Sequence, residues 1–397
     1  MGEQVSRRSF IKAAGSSLAA GPLLIAQAPP GKIYRACVIG NSKRGGYGHG
    51  LDVTFQNIPN IRVTAVADPD EKGRLAMAAK LGVQNAYADY REMLQKEKPD
   101  LVSHGPRWVE NRLEMMTAVA QAGAHLYMEK PMAESLEEAD AMLAVAEKHN
   151  IKIALAHQVR PAPAAAHLKK LLAEGLIGDV LEIRTRGKED ARAGGEDLMV
   201  LGTHCMYMMR FIAGDAQWCF ARVTQNGKDI TADDRRAATE PLGPVAGDTI
   251  HATFAFANGV QGHFASQKNK EKGGGRFAMT IFGTKGVVTF PLSADPPIQY
   301  LADPQWYPGK PDTSWQPIPG APSNSDPSGL KGGEASNKRI VEDLLKAVES
   351  NGQSMVSGYE GRAALEMILS IYASHLAGAR LALPLKDRKH PLGTLSK

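Results

Sequence analysis

Over residues 33–160, short apolar runs alternate with longer stretches of helical period. The runs at 33–39, 61–67, 99–103, 125–128 and 151–156 have the length and composition of strands. Between them, residues 49–57, 70–81 and 91–97 are expected as helices, the second stopped by Gly82. Val109, Leu113, Met116 and Ala120 recur at i, i+4, i+7 and i+11, one face of a helix that Gly123 ends. Ser135-Leu136-Glu137-Glu138 has the spacing of a capping box for a helix reaching about residue 150. Strand and helix in repeated alternation predict an α/β domain with a doubly wound parallel sheet.

The pattern changes after residue 160. A helix over 164–174 ends at Gly175, and strand-like runs then dominate, at 179–186, 218–225, 249–256, 259–266, 276–282 and 287–290. Asn258-Gly259 is a hairpin turn signal, and 200–213 reads as a helix. This half is expected to be an α/β domain on a large, open, mostly antiparallel sheet, whose free face carries substrate or a partner subunit. Residues 291–333 are rich in Pro, Ser, Asp and Gly and read as an ordered excursion. Its Trp306 and Trp315 either stack on a sugar ring or pack on the protein's own surface. Helices resume at 335–349 and 359–376. The expected division is a leader over 1–28, a nucleotide-binding domain over 29–160 and a substrate and oligomerisation domain over 161–397.

Composition adds an address. Ser6-Arg7-Arg8-Ser9-Phe10-Ile11-Lys12, an Ala/Gly-rich apolar run and Ala26-Gln27-Ala28 form a twin-arginine export signal with its cleavage site. The expectation is export to the periplasm by the twin-arginine machinery, which carries folded proteins. With no free nicotinamide pool there, a nicotinamide cofactor would have to stay bound through many turnovers. Of the net charge of +5, the leader holds +2 (Arg7, Arg8 and Lys12 against Glu3), and no basic block follows, so nucleic acid is not an expected partner. Cys37, Cys205 and Cys219 are an odd number without metal-ligand spacing, so neither a disulfide framework nor a metal site is expected.

The chemistry gathers where the predicted strands end. After the first comes a Gly-rich turn, Gly40-Asn41-Ser42-Lys43-Arg44-Gly45, suited to a pyrophosphate although Ser42 replaces the middle glycine of G-x-G-x-x-G. The second strand ends at Asp68, placed to bond the adenine-ribose hydroxyls and to repel a 2′-phosphate, which favours NAD over NADP. The third ends near Pro106 and Trp108, and Trp108 either flanks the cofactor or belongs to the core. The fourth ends at Glu129-Lys130-Pro131, where a lysine beside a proline-fixed turn is the first catalytic candidate. The fifth ends at Gln158 and Arg160, which either line the nicotinamide or cap the strand.

With these blocks in order, and with Ala88–Leu94, Gly175–Gly178, Gly202-Thr203-His204 and Leu383-Pro384-Leu385, the chain resembles the Gfo/Idh/MocA (glucose–fructose oxidoreductase, inositol dehydrogenase) family over about residues 33–386. The resemblance implies NAD(P)-dependent redox chemistry on CH–OH groups of sugars and polyols, and dimers or tetramers through the open sheet. It assigns to Lys130 the place beside the nicotinamide and the reacting hydroxyl, and to His204 the acid/base role. The family's Asp, four residues before that histidine, is Val200 here, and Asp197 is its expected substitute.

Hydride transfer from a carbinol needs a base for the hydroxyl proton and a cation for the developing alkoxide. Lys130, its pKa lowered beside a cationic nicotinamide, and His204 would serve. The expected activity is that of a periplasmic oxidoreductase moving hydride between tightly bound NAD(H) and a sugar, polyol or glycoside. Two alternatives stay open: a glycoside-cleaving enzyme that uses NAD transiently, through oxidation and elimination, and a non-catalytic nucleotide-binding protein.

Overall fold

In the computed structural model, residues 32–394 are described, except 269–274, 308, 312 and 324–325. The export signal lies outside the described residues.

Six parallel strands form the first sheet: β1 (Tyr34–Ile39), β2 (Ile61–Ala67), β3 (Asn85–Tyr87), β4 (Leu101–His104), β5 (His125–Met128) and β6 (Ile153–Leu155), in the order β3-β2-β1-β4-β5-β6. Helices α1 (Glu71–Leu81), α2 (Tyr90–Glu97), α3 (Arg112–Gln121) and α4 (Leu136–Lys148) connect them. The central strands β1 and β4 are buried at every position but Arg35 because helices cover both faces of the sheet. Helix starts follow their caps: Asp70 accepts from Gly73 N at 2.9 Å and Asp89 from Arg91 N at 2.8 Å. Ser135 accepts from Glu138 N at 3.2 Å, while the Glu138 carboxylate turns to Glu134 N at 3.1 Å, so the capping box is half made.

The helix expected over 49–57 is not formed. Turns fill the segment and only Thr54–Asn57 make one 3₁₀ turn. Gly45, Gly46, Gly48 and Gly50 all have left-handed φ, between +64° and +82°, which breaks a right-handed helix at its start. The three-residue β3, half polar and only partly buried, left too short an apolar run to be read.

Beyond α5 (Pro163–Ala173), β7 (Val180–Arg186), α6 (Gly195–Val200), α7 (Gly202–Ala213) and β8 (Ala216–Gln225) begin the second sheet. It continues with β9 (Lys228–Asp229), β12 (Thr249–Phe256), β13 (Gln261–Gln267), β14 (Ala278–Gly283), β15 (Gly286–Pro291), β16 (Gln299–Leu301) and β17 (Gln316–Pro317). A separate small pair, β10 (Arg236–Ala237) and β11 (Pro244–Val245), lies in the excursion between β9 and β12. The chain closes with α8 (Gly332–Glu349), α9 (Gly358–Ala377) and β18 (Leu381–Ala382). The sheet order is β17-β16-β15-β14-β7-β13-β12-β8-β18, with β9 on β8, and among the described residues β7–β13 is its one parallel pairing. Asn258-Gly259 turns β12 into β13, with Gly259 at φ +85°. The helix expected over 200–213 is two helices with a break at Leu201. The 291–333 excursion adds β16 and β17 to the sheet edge. Trp306 packs inward, its Nε1 donating to Gly283 O at 2.8 Å and its ring 5.0 Å from Phe282.

Helices α8 and α9 return to the first sheet. Leu155 N donates to Val356 O at 2.8 Å, covering the β6 edge. Asn337 on α8 accepts from Tyr127 OH at 2.7 Å and Gln158 Nε2 at 2.8 Å, and donates to His49 O at 2.9 Å.

Arg112, at the start of α3, is fully buried. Its guanidinium donates to the carbonyls of Glu129 (3.1 Å), Pro131, Pro106 (2.8 Å), Arg107 (3.3 Å) and Trp108 (3.3 Å). Burial pushes its pKa down to about 10, so it keeps its charge at neutral pH. One side chain thus fixes the turns after β4 and β5. Arg112→Met is expected to lose about 3–5 kcal/mol of stability, since it leaves those carbonyls buried and unpaired. Arg112→Lys is expected to lose at least about 1 kcal/mol, because three ammonium hydrogens cannot serve five carbonyls. Urea unfolding of the variants reads both losses.

Candidate active site

The strand order reverses at β1 and β4, and an open crevice lies there at the carboxyl ends of the strands. Gly40, Asn41 and Arg44 line it after β1, Pro69 after β2, Pro106 and Trp108 after β4. The Gly turn lies close under the β4 turn: a Cβ on Gly45 would stand 2.6 Å from Arg107 N. Arg44 lies over the Trp108 ring, 5.3 Å from its centre, and pairs with Glu110. Crevice, glycine turn and switch point fit the adenosine diphosphate half of NAD.

Asp68 and Ser42 are arranged differently from the sequence expectation. Ser42 N and Oγ donate to the Asp68 carboxylate at 2.9 and 2.6 Å, and Asp70 N donates to it at 2.9 Å. The carboxylate borders the crevice but exposes no surface to it. The serine in the glycine position thus holds the acid inward, and the ribose contact expected of that carboxylate is not poised. The negative charge nevertheless stays at the end of β2.

Around the Glu129-Lys130-Pro131 turn the site closes. Glu129 is fully buried and accepts from His49 N and Nδ1, both at 2.7 Å. Burial would raise its pKa, but the His49 hydrogen bond and charge, with Lys130, hold it down at about 2. It ties the β5 end to the loop after β1 and does not reach the cofactor crevice, which corrects its expected place among the cofactor contacts. Lys130 is buried, and its Nζ donates to Val200 O at 3.1 Å. Burial lowers its pKa, Glu129 and Glu240 oppose this, and Arg192 and Arg107 add to it. A cavity of about 20 Å³, room for roughly one water, is lined by Lys130, His49, Arg107, Arg192, Val200 and Glu240 among others.

His204, buried on α7, has its Nδ1 without a partner. Its ring meets His157 edge-on at 5.4 Å, and His157 stacks on Tyr207 at 4.6 Å. Burial, then the charges of Lys130 and His157, hold His204 well below the usual histidine range. A buried imidazole kept neutral and an amine with a lowered pKa, within electrostatic reach of each other, are suited to relay a proton.

Asp197 is not a partner of this pair. Its carboxylate accepts from Lys188 N (3.0 Å), Glu189 N (3.1 Å) and Ser266 Oγ (2.6 Å), which pins the loop after β7 to β13. The neighbouring Glu196 likewise accepts from Thr239 N at 3.1 Å and from Thr239 Oγ1. Gln158 is taken up by His49 O (3.2 Å) and Asn337, and the Arg160 guanidinium lies 3.9 Å above the centre of the Phe211 ring. Neither side chain lines the crevice or the lysine cavity.

Sequence reasoning missed Arg107, Arg192, Glu240 and His157 as residues around Lys130. His157 and Arg107 stand immediately past β6 and β4, so the rule that selected Lys130 could have found them. Glu240 lies in coil without a local signal.

Residues 34–157 match the family described as "Oxidoreductase family, NAD-binding Rossmann fold", and residues 165–289 match the "GFO/IDH/MocA C-terminal domain". The levoglucosan dehydrogenase of Pseudarthrobacter phenanthrenivorans is 28% identical over 259 residues, 59% of this chain and 65% of that protein, just under two thirds of its length. The D-apiose dehydrogenase of Paraburkholderia graminis is 24% identical over 358 residues, 86% of this chain and 88% of that one. A solved levoglucosan dehydrogenase, in complex with NADH and levoglucosan, superposes with a TM-score of 0.71 at 21% identity, covering 89% of this chain and 100% of that chain.

Acid should weaken this fold. Burial holds His104 and His157 down at about 3 and His390 at about 4, with His204 lower than usual as well. Folded pKa values below the unfolded value of about 6.5 mean that the unfolded chain takes up protons that the fold refuses. Stability is therefore complete above about pH 6.5 and falls as the pH drops toward the folded values. Urea unfolding near pH 5.5 should show a loss of about 1 kcal/mol per histidine relative to pH 7.5. Both His157 nitrogens lack partners, so His157→Phe gives up no hydrogen bond and should remove that histidine's share of the fall.

Proposed function

The chain belongs to the GFO/IDH/MocA family of NAD-binding oxidoreductases, and on that premise we propose that it moves hydride between NAD(H) and a carbinol of a sugar, polyol or glycoside. The observation that carries the reading is Lys130. Its amine is buried at the end of β5, bonded to Val200 O four residues before His204, one strand away from the crevice end at β4.

Bound in the crevice along Gly40, Arg44 and Trp108, NAD supplies the hydride acceptor, or the donor in the reverse direction. Lys130 takes the hydroxyl proton as the carbon gives up its hydride, leaving a carbonyl. Burial lowers its pKa and so favours the neutral amine relative to an exposed lysine, and Arg107 and Arg192 favour the negative charge developing on the oxygen. His204 passes the proton on, with His157 against its ring. A carbohydrate-like substrate agrees with relatives whose names refer to levoglucosan and D-apiose.

Export by the twin-arginine route to the periplasm is part of the proposal, on the strength of residues 6–12 and 26–28, and tight retention of NAD follows from it. A homo-oligomer built on the open face of the second sheet completes it, where Leu181 and Phe220 are exposed.

Purified protein should release NAD on denaturation, as mass spectrometry would detect. With a panel of sugars, polyols and anhydrosugars it should develop reduced-nicotinamide absorbance. Lys130→Ala should lower kcat by about 10²–10⁴. Unchanged turnover in Lys130→Ala would sink the assignment, and aglycone freed from glycosides would point instead to oxidation and elimination.

A further inference from the structure

The family's carboxylate position is Val200, and its expected substitute Asp197 is occupied elsewhere. The cavity beside Lys130 nevertheless holds one carboxylate, brought by a distant part of the chain: Glu240, in the excursion between β10 and β11. We propose that Glu240 supplies to Lys130 the negative charge that position 200 lacks, so that it acts as a positioning residue for the proton-accepting lysine. This rests on the reading of Lys130 given above.

The placement is built and is not an incidental approach. Glu240 pairs with Arg107 at 3.3 Å and is mostly buried. The residues on either side of it are anchored. Thr239 is held by Glu196, Pro241 O accepts from Val109 N at 3.0 Å, and Leu242 is buried. Glu196 stands on α6 four residues before Val200. The helix that lost its acid therefore uses another acid to dock the segment that brings one in.

The charges around Lys130 explain the need. Arg107 faces it from the β4 turn, Arg192 from the loop before α6, His157 from the loop after β6, His204 from α7 and His49 from the loop after β1. Arg192 is paired with Asp190 through two bonds, of 3.1 and 2.7 Å, and Glu129 is sealed against His49. Glu240, though paired with Arg107, is the carboxylate that lines the cavity with the lysine, and it adds to the charge of Glu129. Its charge keeps Lys130 basic enough to receive the hydroxyl proton and then stabilises the ammonium so formed. No proton passes through Glu240 itself.

The test reads Lys130 directly and needs no substrate. Full-length protein carrying ¹³Cε-lysine, with NAD added, is titrated by NMR, and Lys130 is identified by its loss in Lys130→Arg. In E240Q the Lys130 midpoint should move to lower pH by about one pH unit, a tenfold change in its proton affinity. In V200D/E240Q, with the acid restored at the family's position, it should return most of the way. V200D alone should raise it above wild type, which keeps the test open if E240Q folds poorly. A Glu240 with only a structural role would lower the unfolding midpoint and leave the lysine titration where it was, and that result overturns the proposal. Failure of every sugar to turn over would count against the oxidoreductase reading and would leave this titration standing.

Discussion

One guanidinium organises the chemistry of this protein. Arg112 is buried with no carboxylate bonded to it, and its charge is solvated by main-chain carbonyls of the turns after β4 and β5. A buried charge costs several kcal/mol unless such dipoles surround it, so the position of each turn is set by the need to satisfy the arginine. The turns carry Arg107, Trp108, Glu129 and Lys130. The crevice and Lys130 are held in register because the turns that carry them bond, through their backbone carbonyls, to the same ion.

The acids follow a similar economy of position. Five carboxylates near the site (Asp68, Glu129, Asp190, Glu196 and Asp197) are all bonded to partners within the protein. Each fixes a loop: the Gly turn, the β5 end, the approach to α6, the 236–245 excursion and the loop after β7. An acid that accepts hydrogen bonds from backbone N–H groups is a strong anchor and a poor general base. The sequence presents a site rich in carboxylates. The structure spends nearly all of them on holding shape.

The strands were legible because apolar runs bounded by Gly and polar clusters have few other uses, and the parallel and antiparallel halves separate by the helices between them. The place of Lys130 was legible because it follows from topology: it stands past the end of β5, and strand ends converge. The helix expected over 49–57 failed because four left-handed glycines, Gly45, Gly46, Gly48 and Gly50, lead into it, a backbone constraint that the residue pattern does not register. Ser42 looked like a defect in a phosphate turn and is a ligand of Asp68. Asp197 was chosen on helical spacing, which gives a face but not the neighbour opposite it. Glu240 and Arg112 were invisible for a common reason. Their roles come from long-range contacts, and no local pattern marks a residue whose partners lie elsewhere in the chain.

The return of α8 and α9 over the first sheet bears on how the chain is made. Val356 covers the edge of β6, and Asn337 ties Tyr127, Gln158 and His49 together. During synthesis the nucleotide-binding half emerges first, yet its last edge and the brace behind its glycine turn arrive some 180 residues after β6. Until then the growing chain presents an unpaired strand to its surroundings. The fold is sealed from its carboxyl end, so a ribosome that stops short of α8 leaves the nucleotide domain unbraced.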